Sequence, residues 1–307
     1  MAAIVGGEAQ SALCPRESPV SSSSPDVTGR IARLFVYPIK SCAGVEVQQA
    51  LLLETGLEWD RAWMVVDEAG ECVTQRTLAR MALIRPQLKS AEMVLRAPGM
   101  LALHVALDAV EQPARVKVWD DVVDAWDMGA LAAQWFSDFL GQKLRLVRFD
   151  PEVRRLSSPQ WTGGVEAPMQ FNDAFALLVI SDAALDDLNT RLQAAHDAPV
   201  GIERFRPNLV LSGVHAHDED RIGEMQVASE QGPIRLKPVK PCVRCPIPNI
   251  DPASGIPSPE VGDTLQTYRQ DPRMNGGITF GMNAIVLAGA GQVLRVGQSV
   301  AADYLFD

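Results

Sequence analysis

The stretch Lys240-Pro241-Cys242-Val243-Arg244-Cys245-Pro246-Ile247-Pro248 sets a C-x-x-C pair among prolines. Its spacing alone admits half of a structural zinc site or a dithiol redox pair. A thioredoxin-type dithiol opens a helix after a strand. Pro241, Pro246 and Pro248 oppose a helix here, because proline lacks the N–H and clashes with the preceding turn. A closed zinc site needs four ligands, and the chain has no second C-x-x-C. His215 and His217 are spaced more closely than the histidines of a Cys2His2 site. The plainest alternative is two buried cysteines acting as small apolar side chains. Against it stand Lys237, Lys240 and Arg244, whose positive charge favours a thiolate. The pair reads as a rigid loop that carries a reactive thiolate, Cys245, beside cations. Such a setting suits a transition metal brought by an anionic cofactor.

Outward from this loop the chain is patterned for strands. Between about Arg30 and residue 126, short apolar runs alternate with turn signals: Leu34–Tyr37, Ala62–Val66, Met93–Leu95, Leu101–Ala106 and Val116–Trp119. Ala97-Pro98-Gly99 divides two of them as a hairpin turn would. Leu131, Ala132, Trp135, Phe136, Phe139 and Leu140 recur at helical spacing, with Gly141 placed to end the helix. Leu144–Phe149 reads as a strand, and residues 150–168 are polar and turn-rich. Leu177–Ile180 is a further strand, after which Ser181 caps a helix with Leu185, Leu188 and Leu192 on one face. Strands follow at Asn208–Leu211, Ile234–Val239, Ala284–Leu287 and Val293–Val296. The expected class is α+β and rich in β, with a β-barrel-like domain over 30–156 and a second domain over 157–307. Residues 1–29, with four serines in a row at 21–24 and little apolar content, are expected to be disordered.

The 307 residues are 47% hydrophobic and 21% charged, with a net charge of −10. That acidity opposes nucleic acid as a partner, since phosphate backbones reward excess Lys and Arg. Five cysteines in a chain this long are too sparse and too odd for a secreted disulfide scaffold. No run of eighteen or so apolar residues predicts membrane insertion. Glu8, Glu17 and Asp26 argue against a transit peptide, so a cytoplasmic location is expected. No P-loop, G-x-G-x-x-G, G-x-S-x-G or H-E-x-x-H motif occurs.

Candidate anion-binding groups are spread along the chain. Tyr37-Pro38-Ile39-Lys40-Ser41-Cys42 ends a strand in a Lys-Ser step that offers charge, a hydroxyl and a backbone N–H. Arg61, after Asp60, and Arg206, in Phe205-Arg206-Pro207-Asn208, can each bind an anion, and Asn208 offers both a donor and an acceptor. For each one alone, a solvated surface position, a salt bridge or a turn cap explains the residue as well.

Taken in order, six segments resemble the MOSC family, and within it the amidoxime-reducing branch. They are Tyr37 to Cys42, Asp60 to Asp67, Thr74-Gln75-Arg76, Phe205 to Asn208, Cys242 to Pro252, and Leu265 to Arg269. The resemblance implies a MOSC N-terminal β-barrel domain followed by a MOSC domain, and the molybdenum cofactor, a molybdenum-bearing molybdopterin. It implies that Cys245 is the metal ligand, that Lys40, Ser41 and Arg61 hold the pterin's phosphate, and that Arg206, Asn208, Val243 and Arg244 line the pterin. The implied activity is reduction of amidoximes, hydroxylamines, N-hydroxylated bases and nitrite by a monomer. Its electrons would come from NADH through cytochrome b5 reductase and cytochrome b5. Other MOSC relatives suggest sulfur transfer or cofactor carriage through Cys245 instead. Departures from the family pattern fall at Ala174 and Phe175, where hydroxyl residues are frequent, and at Gln298, where an Asp is usual. Asp251 is expected to act as a proton donor or, more simply, as a turn cap.

Overall fold

The computed structural model describes residues 24–305. The segment expected to be disordered lies largely outside that range, as does Cys14. Its last three residues, Val27–Gly29, are instead strand, because their backbone pairs with Ala302, Ala301 and Val300 near the other end of the chain.

Strand β1 (Val27–Val36) opens the fold. The first half continues with β2 (Trp63–Val66), the meander β3 (Arg85–Leu88), β4 (Glu92–Arg96) and β5 (Leu103–Ala106), and the hairpin β6 (Gln112–Val118) and β7 (Asp121–Asp127). Helix α1 (Gly129–Leu140) and strand β8 (Arg145–Phe149) close it. The second half holds β9 (Leu177–Ser181), helix α2 (Asp182–Ala194), β10 (Leu209–Ser212), β11 (Ile222–Val227), β12 (Ile234–Val243), the short helix α3 (Glu260–Gln266), β13 (Gly277–Ala288) and β14 (Ser299–Tyr304).

Seven strands close into a barrel in the order β9, β10, β1, β14, β11, β12, β13, with β13 pairing back onto β9. Only β9 and β10 run parallel within it. The barrel thus draws β1 from the beginning of the chain and β14 from its end. Inward residues alternate along these strands as the pleat requires, filling the barrel with Ile31, Leu34, Leu209, Leu211, Met225, Leu236 and Ala284. The opposite face of β1 is covered too: Phe35 and Tyr37 join Leu188 and Leu192 of α2 and Leu265 of α3. A four-stranded sheet, β2-β8-β7-β6, forms the body of the first half. Trp63, Val65 and Leu146 of this sheet pack with Phe136 and Phe139 of α1.

Two local predictions hold in detail. Gly141 ends α1 in the left-handed conformation (φ 78°), its N–H on the Ser137 carbonyl. The Ser181 hydroxyl caps α2 by accepting from the Ala184 N–H. Leu131 and Leu101 depart from expectation: they are 73% and 89% exposed, so the buried stripe of α1 begins at Ala132 and β5 begins at Leu103.

Candidate functional site

The C-x-x-C pair sits at the end of β12, which stops at Val243, and no α-helix follows it. The Arg244 N–H closes the loop onto the Ile278 carbonyl of β13 at 2.8 Å. The loop forms part of one mouth of the barrel. The segment leading into β10 and the chain leaving β1 meet it there.

Backbone pairing explains how distant cations gather at this mouth. The segment after β1 runs beside β2: the Lys40 N–H donates to the Trp63 carbonyl, the Trp63 N–H to Pro38, and the Arg61 N–H to Tyr37. Asp60, fully buried, accepts from the Tyr37 N–H at 2.8 Å and from the Arg61 guanidinium at 2.6 Å. Lys40, Ser41 and Arg61 are thereby fixed side by side. Asn208 ties the barrel to them. Its carbonyl oxygen accepts from the Leu178 N–H at 3.1 Å and from Arg61 at 3.3 Å, while its amide donates to the Phe35 carbonyl at 3.2 Å.

A cleft of about 740 Å³, its open mouth included, lies between the two halves, within the roughly 300–1,000 Å³ of small-molecule sites. Lys40, Ser41, Arg61, Arg206, Asn208, Val243, Arg244 and Cys245 all line it. Three of them, Ser41, Arg61 and Arg206, hold positive φ angles of 66°, 51° and 59°. Such conformations are disfavoured for residues with a side chain and concentrate at binding sites.

The electrostatics are strongly cationic. The guanidiniums of Arg61 and Arg206 both lie over the Tyr37 ring, 4.4 and 4.3 Å from its centre. Burial, with Arg61 adjacent, lowers the Arg206 pKa to about 10, so it stays charged at neutral pH. Its Nη1 donates to the Cys42 carbonyl at 2.6 Å, and its Nη2 is buried with no partner. Arg244 donates to the Cys242 sulfur at 3.0 Å and to the Phe205 carbonyl at 2.9 Å, which leaves its Nε buried without a partner. Burial pulls the Lys40 pKa down, while its ion pair with Asp173 pulls it back up. Burial would by itself raise the Asp173 carboxyl, but Lys40, Arg76 and Arg61 outweigh it and hold the group well below the usual carboxylate range.

Three residues of the site escaped the sequence reading. Arg76 lines the cleft and lies 3.6 Å from Asp173; Thr74-Gln75-Arg76 was a matching segment, but no role followed from it. Asn172 and Asp173 line the cleft as well, in the stretch that departs from the family pattern. Asp251 does not line it. Its carboxylate accepts from the Ala253 N–H and the Ser254 hydroxyl, which makes it a turn cap. His215 and His217 are remote from the cysteine pair, with His217 packed against Tyr268 and Phe280. Among the described residues no three His, Cys, Asp or Glu side chains cluster as metal ligands, which removes the basis for a zinc module. Cys42 is buried in the apolar core, where burial pushes its thiol up to about 12, so it remains protonated.

The fold and cleft define a two-part β protein with a closed barrel and a site for an anionic ligand beside a partly exposed cysteine. Residues 28–143 match the MOSC N-terminal beta barrel domain and residues 166–301 the MOSC domain, and the chain belongs to the MOSC family. It is similar to the mitochondrial amidoxime-reducing component 1 of Mus musculus, 36% identical over 78% of this chain and 72% of the relative. The human protein of that name is 34% identical over 80% of this chain and 73% of its own length. Bovine molybdenum cofactor sulfurase is 29% identical over 78% of this chain but only 29% of its own length. Among the described residues no helix is long and apolar enough to cross a membrane.

Proposed function

We propose that this protein is a molybdenum cofactor-dependent reductase of N-hydroxylated compounds. The observation that carries the reading is the joining of Cys245, in one cleft, with five cations and two buried guanidinium nitrogens that lack a partner in the protein. An unpaired buried donor is costly, so these nitrogens suit a ligand rich in acceptors, as a pterin phosphate is. Lys40, Ser41 and Arg61 would hold the phosphate, and Arg206, Asn208 and the Val243-Arg244 turn would hold the pterin. Cys245 would be the protein's ligand to molybdenum.

When bound, the cofactor supplies two-electron redox chemistry. The net reaction consumes two electrons and two protons per N–OH group, breaks the N–O bond, and yields an N–H group and water. The chain's own part is to bind and orient. Arg61 and Arg206 are set by Asp60, Tyr37 and the Cys42 carbonyl, so little ordering remains when the ligand arrives. Substrates on this reading are amidoximes, hydroxylamines, N-hydroxylated bases and nitrite. The sequence has no dinucleotide-binding motif, so electrons arrive from outside, by this proposal from NADH through cytochrome b5 reductase and cytochrome b5. The sulfurase relative keeps a second reading in play, in which Cys245 carries sulfur or the cofactor is only stored.

The deciding experiment combines metal and pterin analysis with reduction of benzamidoxime in the presence of NADH, cytochrome b5 and its reductase. We expect molybdenum and turnover in the parent, no turnover in Cys245→Ala, and a milder loss in Cys242→Ala. Full activity in Cys245→Ala with molybdenum bound would overturn the assignment. Bound molybdenum without turnover in the parent would favour carriage.

A further inference from the structure

The sheet of the first half ends toward the cleft in hairpin β6–β7, whose two-residue turn is Trp119-Asp120. Trp119 holds φ 56°, a conformation that tight hairpins ordinarily give to Gly or Asn because a larger residue's Cβ crowds the backbone. Its ring is not left in solvent. The Arg76 guanidinium lies 4.4 Å from the ring centre and the Lys40 ammonium 5.3 Å from it. The indole N–H donates to the Asp173 carboxylate at 3.2 Å. Arg76, Lys40 and Asp173 line the cleft, whereas Trp119 stands just outside its lining.

Lys and Arg side chains lose much rotamer freedom when they grip an anion, and a contact that restrains them beforehand reduces that loss. One ring touching both cations does this, and it also shields Lys40 from water. We propose that Trp119 is a positioning residue: the hairpin tip of the first half straps Lys40 and Arg76 in place and so retains the phosphate of the bound cofactor. The inference rests on the reading above that the Lys40 side of the cleft takes a phosphate. It gives the hairpin of the first half a direct part in ligand retention.

The test uses the full chain from a host unable to make the pterin, titrated calorimetrically with inorganic pyrophosphate. Pterin release from the cofactor-loaded protein is followed in parallel by fluorescence of the oxidised pterin. Trp119→Ala should weaken pyrophosphate binding about tenfold and speed pterin release, while Trp119→Phe, which keeps the ring, should stay within about twofold of the parent. Trp119→Gly, unstrained at this φ, should show the same loss and serves if the alanine variant is unstable. If Trp119→Ala behaves like the parent while Lys40→Met has lost binding, the strap is wrong and the phosphate reading stands. Equal losses in Trp119→Phe and Trp119→Ala would trace the effect to the indole N–H on Asp173 and also overturn the strap. No binding by the parent, with Lys40→Met leaving pterin content unchanged, would overturn the phosphate reading and the strap together.

Discussion

Replacing Glu219 by Gln should stabilise the protein in mildly alkaline solution. Glu219 is fully buried in the turn Asp218–Asp220; one carboxylate oxygen accepts from the Ser181 N–H at 3.1 Å and the other has no partner. Burial raises its carboxyl to about 7 from 4.5, against the opposing pull of the Ser181 hydrogen bonds. A folded value above the unfolded one means that folding takes up a proton between the two. The native state is therefore favoured at low pH, and its stability falls as pH rises from about 4.5 through 7. At roughly 1.36 kcal/mol for each pH unit of that interval, the loss approaches 3 kcal/mol above neutrality. Glutamine keeps the shape and the acceptor for Ser181 but cannot ionise. Urea unfolding at pH 8 should show Glu219→Gln more stable than the parent by about 3 kcal/mol, with the two within about 1 kcal/mol at pH 5. A variant no more stable than the parent at pH 8 would refute the reasoning. It would mean that the ionised carboxylate is held by the Ser181 contact at the start of α2 well enough to offset its burial.

Two further outcomes follow from the barrel and the cleft. Gly281→Ala should lower the calorimetric Tm by several degrees, reflecting about 2 kcal/mol or more. At Gly281 φ is 78°, and an added Cβ would lie 2.8 Å from the Val179 carbonyl oxygen across the seam that closes the barrel. Cys242→Ala removes the sulfur that accepts from Arg244, so pterin occupancy should fall severalfold, whereas Cys242→Ser keeps an acceptor and should restore most of it. Equal losses in both variants would point to a need for the thiol itself.

The strand-rich class, the helix ended by Gly141 and the Ser181 cap were legible in the sequence. Each depends on residues within one turn or one pleat of each other, so a local pattern carries the signal. The chemical identities of Lys40, Arg61, Arg206 and Cys245 were legible too, because a cation or a thiol keeps its chemistry wherever the chain places it. Their meeting was not derivable from spacing: Lys40 and Arg206 share a cleft through the pairing of β1 with β10, across more than half the chain. That β1 would join a barrel with β14, that Asn208 would tie the barrel to Arg61, and that Trp119 would leave its expected strand for a strained turn over Lys40 were likewise decided by tertiary structure. The physical reason is common to all of them. Local sequence sets φ, ψ and the period of apolar residues, but which strands pair, and which side chains then face one another, depends on the burial gained when distant segments pack. No stretch of sequence carries that information alone.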